Sequence, residues 1–343
     1  MPHYNLALIG FGNVGRALGR LLLDKQVELQ TRYNLTFTVT GIATGRHGIA
    51  WDPEGLDLEQ AISLAKSGSN LSTLSAGPVL TDPITMLKRC EGQVLFENSP
   101  VNYQTGQPAV DHLQTALEAG MHAITANKGP VVHAYRELVS LANAHGRRFL
   151  FESTVMDGAP IFSLVRSALP AAKLLGFHGI LNSCTNLILE KMEGGQTFEQ
   201  AVAYAQSIGI AETDPSGDVD GWDAAIKVAA LVTVLMDTPL KPVNVKRQGI
   251  RAITPEKIAG ARETGQRWKM VCTAAKKEGR ILAEVAPMLV KPDSPLFSIN
   301  GTSSYVQFEL DVLPGLGIVE NNPGPTTTAY GLLADFITAA SGD

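Results

Sequence analysis

The chain has little cysteine: Cys90, Cys184 and Cys272 are its only three, and they are widely scattered. That number and spacing exclude a disulfide framework and a cysteine-built zinc site, and they suit a reducing cytoplasm. Charge is sparse too, at 18% of residues, and the formal net charge of -5 leaves no positive excess. An acidic chain of this kind lacks the electrostatic footprint of a nucleic-acid binder. No apolar run is long and unbroken enough for a membrane span. The N-terminus has no basic region, apolar segment and cleavage site in succession, so no signal peptide is expected and the expected location is cytoplasmic. Internal repeats and low-complexity tails are also missing. What is there is ordinary: 343 residues, 45% of them hydrophobic, enough for two domains with cores of their own.

Tyr4 to Ile9 reads as a buried strand, and Arg16 to Leu23 has helical spacing at Ala17, Leu18, Leu21 and Leu22. Between them stands Gly10-Phe11-Gly12-Asn13-Val14-Gly15, a GxGxxG in the strand-to-helix context that a dinucleotide-binding turn requires. Gly10 permits the tight turn, Gly12 lets the backbone approach a pyrophosphate, and Gly15 lets helix and strand pack closely. The phosphates then meet the free amides of the helix start. The plainer alternative is a glycine-rich turn without a ligand. After the second strand, Phe37 to Ile42, an NAD-specific fold usually carries a carboxylate for the ribose hydroxyls. Here the chain reads Ala43-Thr44-Gly45-Arg46-His47. A guanidinium suits a 2′-phosphate, so Arg46 favours NADP while NAD stays possible; a solvated loop arginine is the alternative.

The same reading expects helices over Leu58 to Lys66, Ala109 to Ala119 and Val132 to Ala144, with strands at Val94 to Phe96, His122 to Thr125 and Arg148 to Phe151. Ligands collect at the carboxyl ends of parallel strands. That makes Ser99, just after one strand, and Lys128, just after the next, candidates for the cofactor crevice. Lys173 to Leu181 reads as a strand and Asn186 to Met192 as a helix, and Thr197 with Gln200 forms a capping box. Trp268 to Ala274 and Ile281 to Val290 read as paired strands, and a closing helix, Ala329 to Ala339, follows Gly324 and Pro325. The expected class is α/β: a Rossmann-type dinucleotide-binding domain over residues 1–150, rejoined by 319–343. An α+β domain with a mixed sheet is expected over 151–318.

The densest chemistry lies from Glu212 to Val228. Pro215 and Gly217 among short polar residues argue against regular structure at first. Asp220 is then positioned as a helix N-cap, with Asp223 three residues on to close a capping box. From Ala224 to Leu235 the run is almost wholly apolar, with Lys227 as its one charge, four residues beyond Asp223. A well-capped core helix with one internal ion pair would explain the aspartates. Lys227 is less easily dismissed, because a lysine in a buried helix needs a specific partner, and a desolvated lysine beside carboxylates is a proton-transfer candidate.

With these pieces in order, the chain resembles homoserine dehydrogenase from end to end. The matching stretches are Gly10 to Gly15, Asn98 to Pro100, Ala126 to Lys128, Glu152 to Pro160, Gly179 to Asn186 and, most specifically, Ala211 to Pro215 through Asp218, Asp223 and Lys227. The chain is similar to the short monofunctional form, ending without room for a C-terminal regulatory domain. The resemblance implies NAD(P)-dependent interconversion of aspartate 4-semialdehyde and homoserine, on the route to threonine, methionine and isoleucine, in a homodimer. It implies Lys227 as proton donor, Glu212, Asp218 and Asp223 as substrate ligands, Lys128 between cofactor and substrate, and Gly324 in the C-terminal cofactor loop. It further implies a monovalent cation at Glu152 and the carbonyls of Val155, Asp157 and Ala159. Three departures stand out. The usual Asn-Gly-Thr is Asn182-Ser183-Cys184-Thr185, a single glycine remains in the C-terminal loop, and Asp157 replaces a small residue. A dehydrogenase of another small amino acid would keep the glycine motif but need not keep Glu212 to Lys227, and a nucleotide sensor would need no acid–lysine cluster.

Overall fold

The computed structural model describes residues 1–342, which divide into two compact units: Met1–Ile161 with the segment from Gly324 onward, and Phe162–Pro323. The first unit therefore runs past residue 150, and residues 319–323 belong to the second.

The first unit holds strands β1 (His3–Ile9), β2 (Thr36–Ala43), β3 (Ile49–Trp51), β4 (Val94–Glu97), β5 (His122–Thr125) and β6 (Phe149–Leu150) in the order β3-β2-β1-β4-β5-β6. All neighbours run parallel except β3, which returns antiparallel on β2. The chain moves outward from β1 in both directions, so the carboxyl ends of β1 and β4 mark the topological switch point where such sheets bind ligands. Helices α1 (Asn13–Asp24), α2 (Gln26–Tyr33), α3 (Leu58–Ser67), α4 (Pro83–Arg89), α5 (Ala109–Glu118), α6 (Lys128–His133) and α7 (Tyr135–Ala144) accompany it. Leu6 and Leu8 of β1, Phe96 of β4, and Leu18 and Leu22 of α1 form its core. The closing helix, Pro325–Ser341, adds Leu332 and Phe336; the Phe336 ring meets Tyr4 edge-on at 5.7 Å and Phe96 at 6.0 Å.

The second unit contains β7 (Leu174–Ile180), α8 (Ser183–Glu193), α9 (Phe198–Ser207), α10 (Ser216–Val219), α11 (Trp222–Leu235), β8 (Lys246–Arg247), α12 (Pro255–Glu263), β9 (Arg267–Lys277), β10 (Arg280–Val290), β11 (Ser304–Leu310) and β12 (Leu316–Glu320), which makes the closing helix α13. Its sheet runs β12-β11-β7-β9-β10-β8, antiparallel except at β10–β8. Val306, Gly179, Cys272 and Val285 stand in register across four strands. Helix α11 packs on β9 and β10, burying every residue from Ala224 to Thr233 except Lys227.

Several expectations are corrected. The helix expected over Val132 to Ala144 is two helices, because the chain breaks at Ala134 between α6 and α7. Ser216–Val219 is a helical turn despite Pro215 and Gly217: proline before the first helical residue gives up no helix-interior hydrogen bond. Asp220 is not an N-cap. Gly221, at φ +80, occupies that position, and the Asp220 carboxylate instead pairs with Arg251 at 2.6 Å.

Candidate active site

In the first unit the glycine turn has the geometry a pyrophosphate needs. Gly10 sits at φ +87, and a Cβ there would stand 2.3 Å from the Asn98 carbonyl oxygen. A Cβ on Gly15 would come within 2.3 Å of the Gly10 carbonyl oxygen, so strand and helix meet in near contact. Beside Gly12 a Cβ would meet nothing within 4 Å, and no side chain caps α1. Open space in front of uncapped helix amides fits a dinucleotide's phosphates. Phe11 is buried and Val14 packs on the core, so neither side chain is free for a ligand. The Asn13 side chain accepts from Arg16 at 2.9 Å. Arg46 is exposed in the turn joining β2 to β3, which Thr44 N–H closes on the Gly48 carbonyl at 3.0 Å.

Ser99 is turned inward: its hydroxyl donates to the Glu97 carboxylate. Glu97 is wholly buried, with His112 Nδ1 at 3.3 Å and the Thr125 hydroxyl at 3.4 Å. Asn98, beside it, has both amide atoms buried with no hydrogen-bond partner among the described residues. Such an amide at a strand end is a cofactor-facing candidate that composition and periodicity could not single out. Lys128 is the first residue of α6, whose cap, Asn127, accepts from Gly129 N–H at 2.9 Å and donates to the Ser99 carbonyl at 3.0 Å. Gly324 caps α13 in extended backbone, its N–H donating to the Thr327 hydroxyl at 2.7 Å.

The four proposed cation ligands share one loop after β6. Glu152 is buried, and its N–H donates to Asp335 at 2.8 Å. Val155 and Ala159 are buried as well, while Asp157 adopts φ +39 and its carboxylate accepts from the Thr328 hydroxyl at 2.5 Å. Among the described residues no group of three or more His, Cys, Asp or Glu gathers into a metal site. A cation here would rest on Glu152 and carbonyl oxygens, a donor set suited to a hard ion.

The second unit brings together Asp218, Asp223 and Lys227. Asp218 leads in from α10, and the other two lie one turn apart on α11. Lys227 Nζ donates to the Leu181 carbonyl at 2.6 Å and pairs with Asp223 at 3.3 Å, the two side chains only 13% and 14% exposed. Asp223 thus closes no capping box; its carboxylate is turned to the lysine. Asn182 donates to both acids, at 2.7 Å to Asp218 and 3.0 Å to Asp223. Burial, and then the charge of Asp223, holds the Asp218 carboxyl above its ordinary range. Burial likewise pushes the nearby Cys184 thiol up, and Asp218 adds to it, so the thiol stays protonated. Glu212 lies exposed at the start of the same loop, where its backbone carbonyl accepts from Gln206 at 3.1 Å.

Comparison with known proteins agrees with both halves. A family model described as homoserine dehydrogenase matches residues 160–337, and one described as its NAD-binding domain matches residues 10–152. An NAD(+)-dependent homoserine dehydrogenase of Pseudomonas canavaninivorans is 36% identical, over 98% of this chain and 96% of that one. A homoserine dehydrogenase of Methanocaldococcus jannaschii is also 36% identical, over 97% of each. A hyperthermophilic archaeal homoserine dehydrogenase solved with NADPH superposes with a TM-score of 0.84, at 28% identity over 100% of this chain and 99% of that one. The chain belongs to the homoserine dehydrogenase family.

Proposed function

We propose that this NAD(P)-dependent oxidoreductase interconverts L-aspartate 4-semialdehyde and L-homoserine with Lys227 as the proton carrier. The observation that carries the assignment is the placement of Lys227, fixed between the Leu181 carbonyl and Asp223 and nearly shielded from water. When bound, the nicotinamide supplies or accepts the hydride. Lys227 gives its proton to the oxygen of the aldehyde being reduced and takes it from the homoserine hydroxyl in the other direction. Asp218 and Asp223 hold the substrate's ammonium end, with Glu212 as a third carboxylate from the same loop. Gly10 to Gly15, Asn98, Ser99, Lys128 and Gly324 are assigned to the cofactor.

Arg46, with no carboxylate at the end of β2, supports NADP as the preferred cofactor; the relatives above carry NAD(+) and NADPH in their names. Buried Glu152 supports a monovalent cation on its loop, with Val155, Asp157 and Ala159 as carbonyl ligands. Steady-state oxidation of homoserine, with each cofactor and with Lys227→Ala beside the wild type, tests the assignment. Lys227→Ala is expected to lose ~10² to 10⁴ in turnover while binding the cofactor normally. Wild-type turnover in the variant would remove Lys227 from the mechanism, and no homoserine oxidation by the wild type would end the proposal.

A further inference from the structure

We infer that Asn182 is a positioning residue: one side-chain amide sets the spacing of Asp218 and Asp223 and ties both to the start of α8. The inference rests on the assignment of the acid–lysine cluster as the substrate site. Asn182 is 3% exposed and lies between the end of β7 and α8. Its two N–H groups donate to Asp218 Oδ1 at 2.7 Å and to Asp223 Oδ2 at 3.0 Å. Its oxygen accepts from Thr185 N–H and from the Thr185 hydroxyl, both at 2.8 Å. A carboxamide has two donors and two acceptor lone pairs, so every bonding position is filled. The opposite orientation would set the amide oxygen against both carboxylates. Aspartate in this place would do the same, and leucine would take the amide donors from both acids and the cap from the first turn of α8.

The arrangement does more than satisfy polar groups. Two carboxylates brought together repel, and a neutral donor shared between them holds them close without cancelling the charge that a substrate ammonium needs. Asp223 Oδ2 is shared with Lys227, while the preceding residue, Leu181, offers its carbonyl to the same Nζ. A single peptide segment at the end of β7 thereby fixes all three groups, though Asn182 stands 36 residues from Asp218 and 41 from Asp223. The charged and titratable groups facing Asp218 are Asp223 and Lys227 from α11 and Cys184 from α8. Asn182 and Lys227 favour its ionised form, against burial and Asp223.

The test uses the full chain and two variants that keep the helix cap, Asn182→Ser and Asn182→Asp. Both can still accept from the α8 amides, but neither can donate to two acids. With Asn182→Ser, kcat for homoserine oxidation is expected to fall about 10-fold to 100-fold. The acid limb of its kcat/KM profile should move to higher pH, because Asp218 loses a partner of its ionised form. Asn182→Asp should move that limb further, and cofactor affinity should stay at the wild-type value in both. A thermal melt shows each variant folded. Wild-type rates and an unmoved acid limb in the folded variants would overturn the inference, provided Asp218→Asn and Asp223→Asn are impaired. Full activity in those two would instead overturn the cluster assignment on which it rests.

Discussion

At the scale of single residues, neighbouring aspartates with similar sequence surroundings do different work. Asp220 has the better sequence credentials for a cap, yet its carboxylate meets Arg251 in a pair 35% and 53% exposed. Exposed pairs contribute about 1 kcal/mol or less, so Asp220→Asn should leave kinetics unchanged and lower stability slightly. Asp223 is largely shielded, its carboxylate against Lys227 and Asn182. Asp223→Asn is expected to cost ~10² or more in turnover with a small change in melting temperature. Normal kinetics in Asp223→Asn and in Asp218→Asn would reduce the cluster to structure. Arg46 is a simpler case: exposed at the end of β2, it has only a ligand to gain. Arg46→Ala should weaken NADP by ~1.5 to 3 kcal/mol, the worth of a hydrogen bond to a charged group, and leave NAD unchanged. Equal losses, measured by titration, would show a solvated arginine.

At the scale of elements, what the sequence exposed was whatever is local. The glycine turn, the Thr197–Gln200 capping box, and the β9–β10 pair around Glu278-Gly279 are written in adjacent residues, and the structure has each. Helix α2 escaped because it buries only Leu29 and so carries almost no apolar stripe. Edge strand β3 escaped because three residues show no period. Asn182 and Lys269 were illegible for another reason: their partners are distant in sequence. Lys269 reads as an ordinary strand lysine, yet it is fully buried in β9 and donates to Asn186 of α8 at 2.8 Å and to the Ile299 carbonyl at 2.5 Å. Burial, and then Arg267, lowers its ammonium from 10.5 to about 8. The unfolded chain therefore holds a proton that the folded chain has released between about pH 8 and 10.5. Stability gains with pH across that window, and below it the penalty of the buried charge is constant. Urea unfolding of the wild type should thus gain on Lys269→Met by up to about 3 kcal/mol between pH 8 and 10.5. A difference independent of pH would mean the lysine titrates normally.

At the scale of the whole molecule, the second unit leaves one sheet face that its own chain covers only in part. Ile180, Val271, Val290 and Tyr305 on that face are closed over by Leu296 and Ile299 from the turn after β10. Further along it, Leu282, Met288 and Val319 stand 55%, 48% and 49% exposed. A groove of about 400 Å³, lined by His178, Thr273, Met288 and Leu296 among others, runs beside the turn. Burying such side chains contributes roughly 25 cal/mol per Å² of apolar surface, and large apolar side chains exposed on one sheet face suit a protein–protein contact. The occupant we propose is a second copy of the chain, because a twofold dimer pairs the same patch with itself and needs no further partner. Sedimentation should then give twice the 36.5 kDa chain mass for the wild type. Met288→Asp with Leu282→Asp puts four like charges into that contact and should give a folded monomer. Both side chains lie on the face of β10 opposite that of Val285, which sits beside Gly221 at the start of α11, so circular dichroism and cofactor binding should be unchanged. A wild type that sediments at the mass of one chain would exclude the dimer, and a double variant that stays dimeric would move the interface off this face.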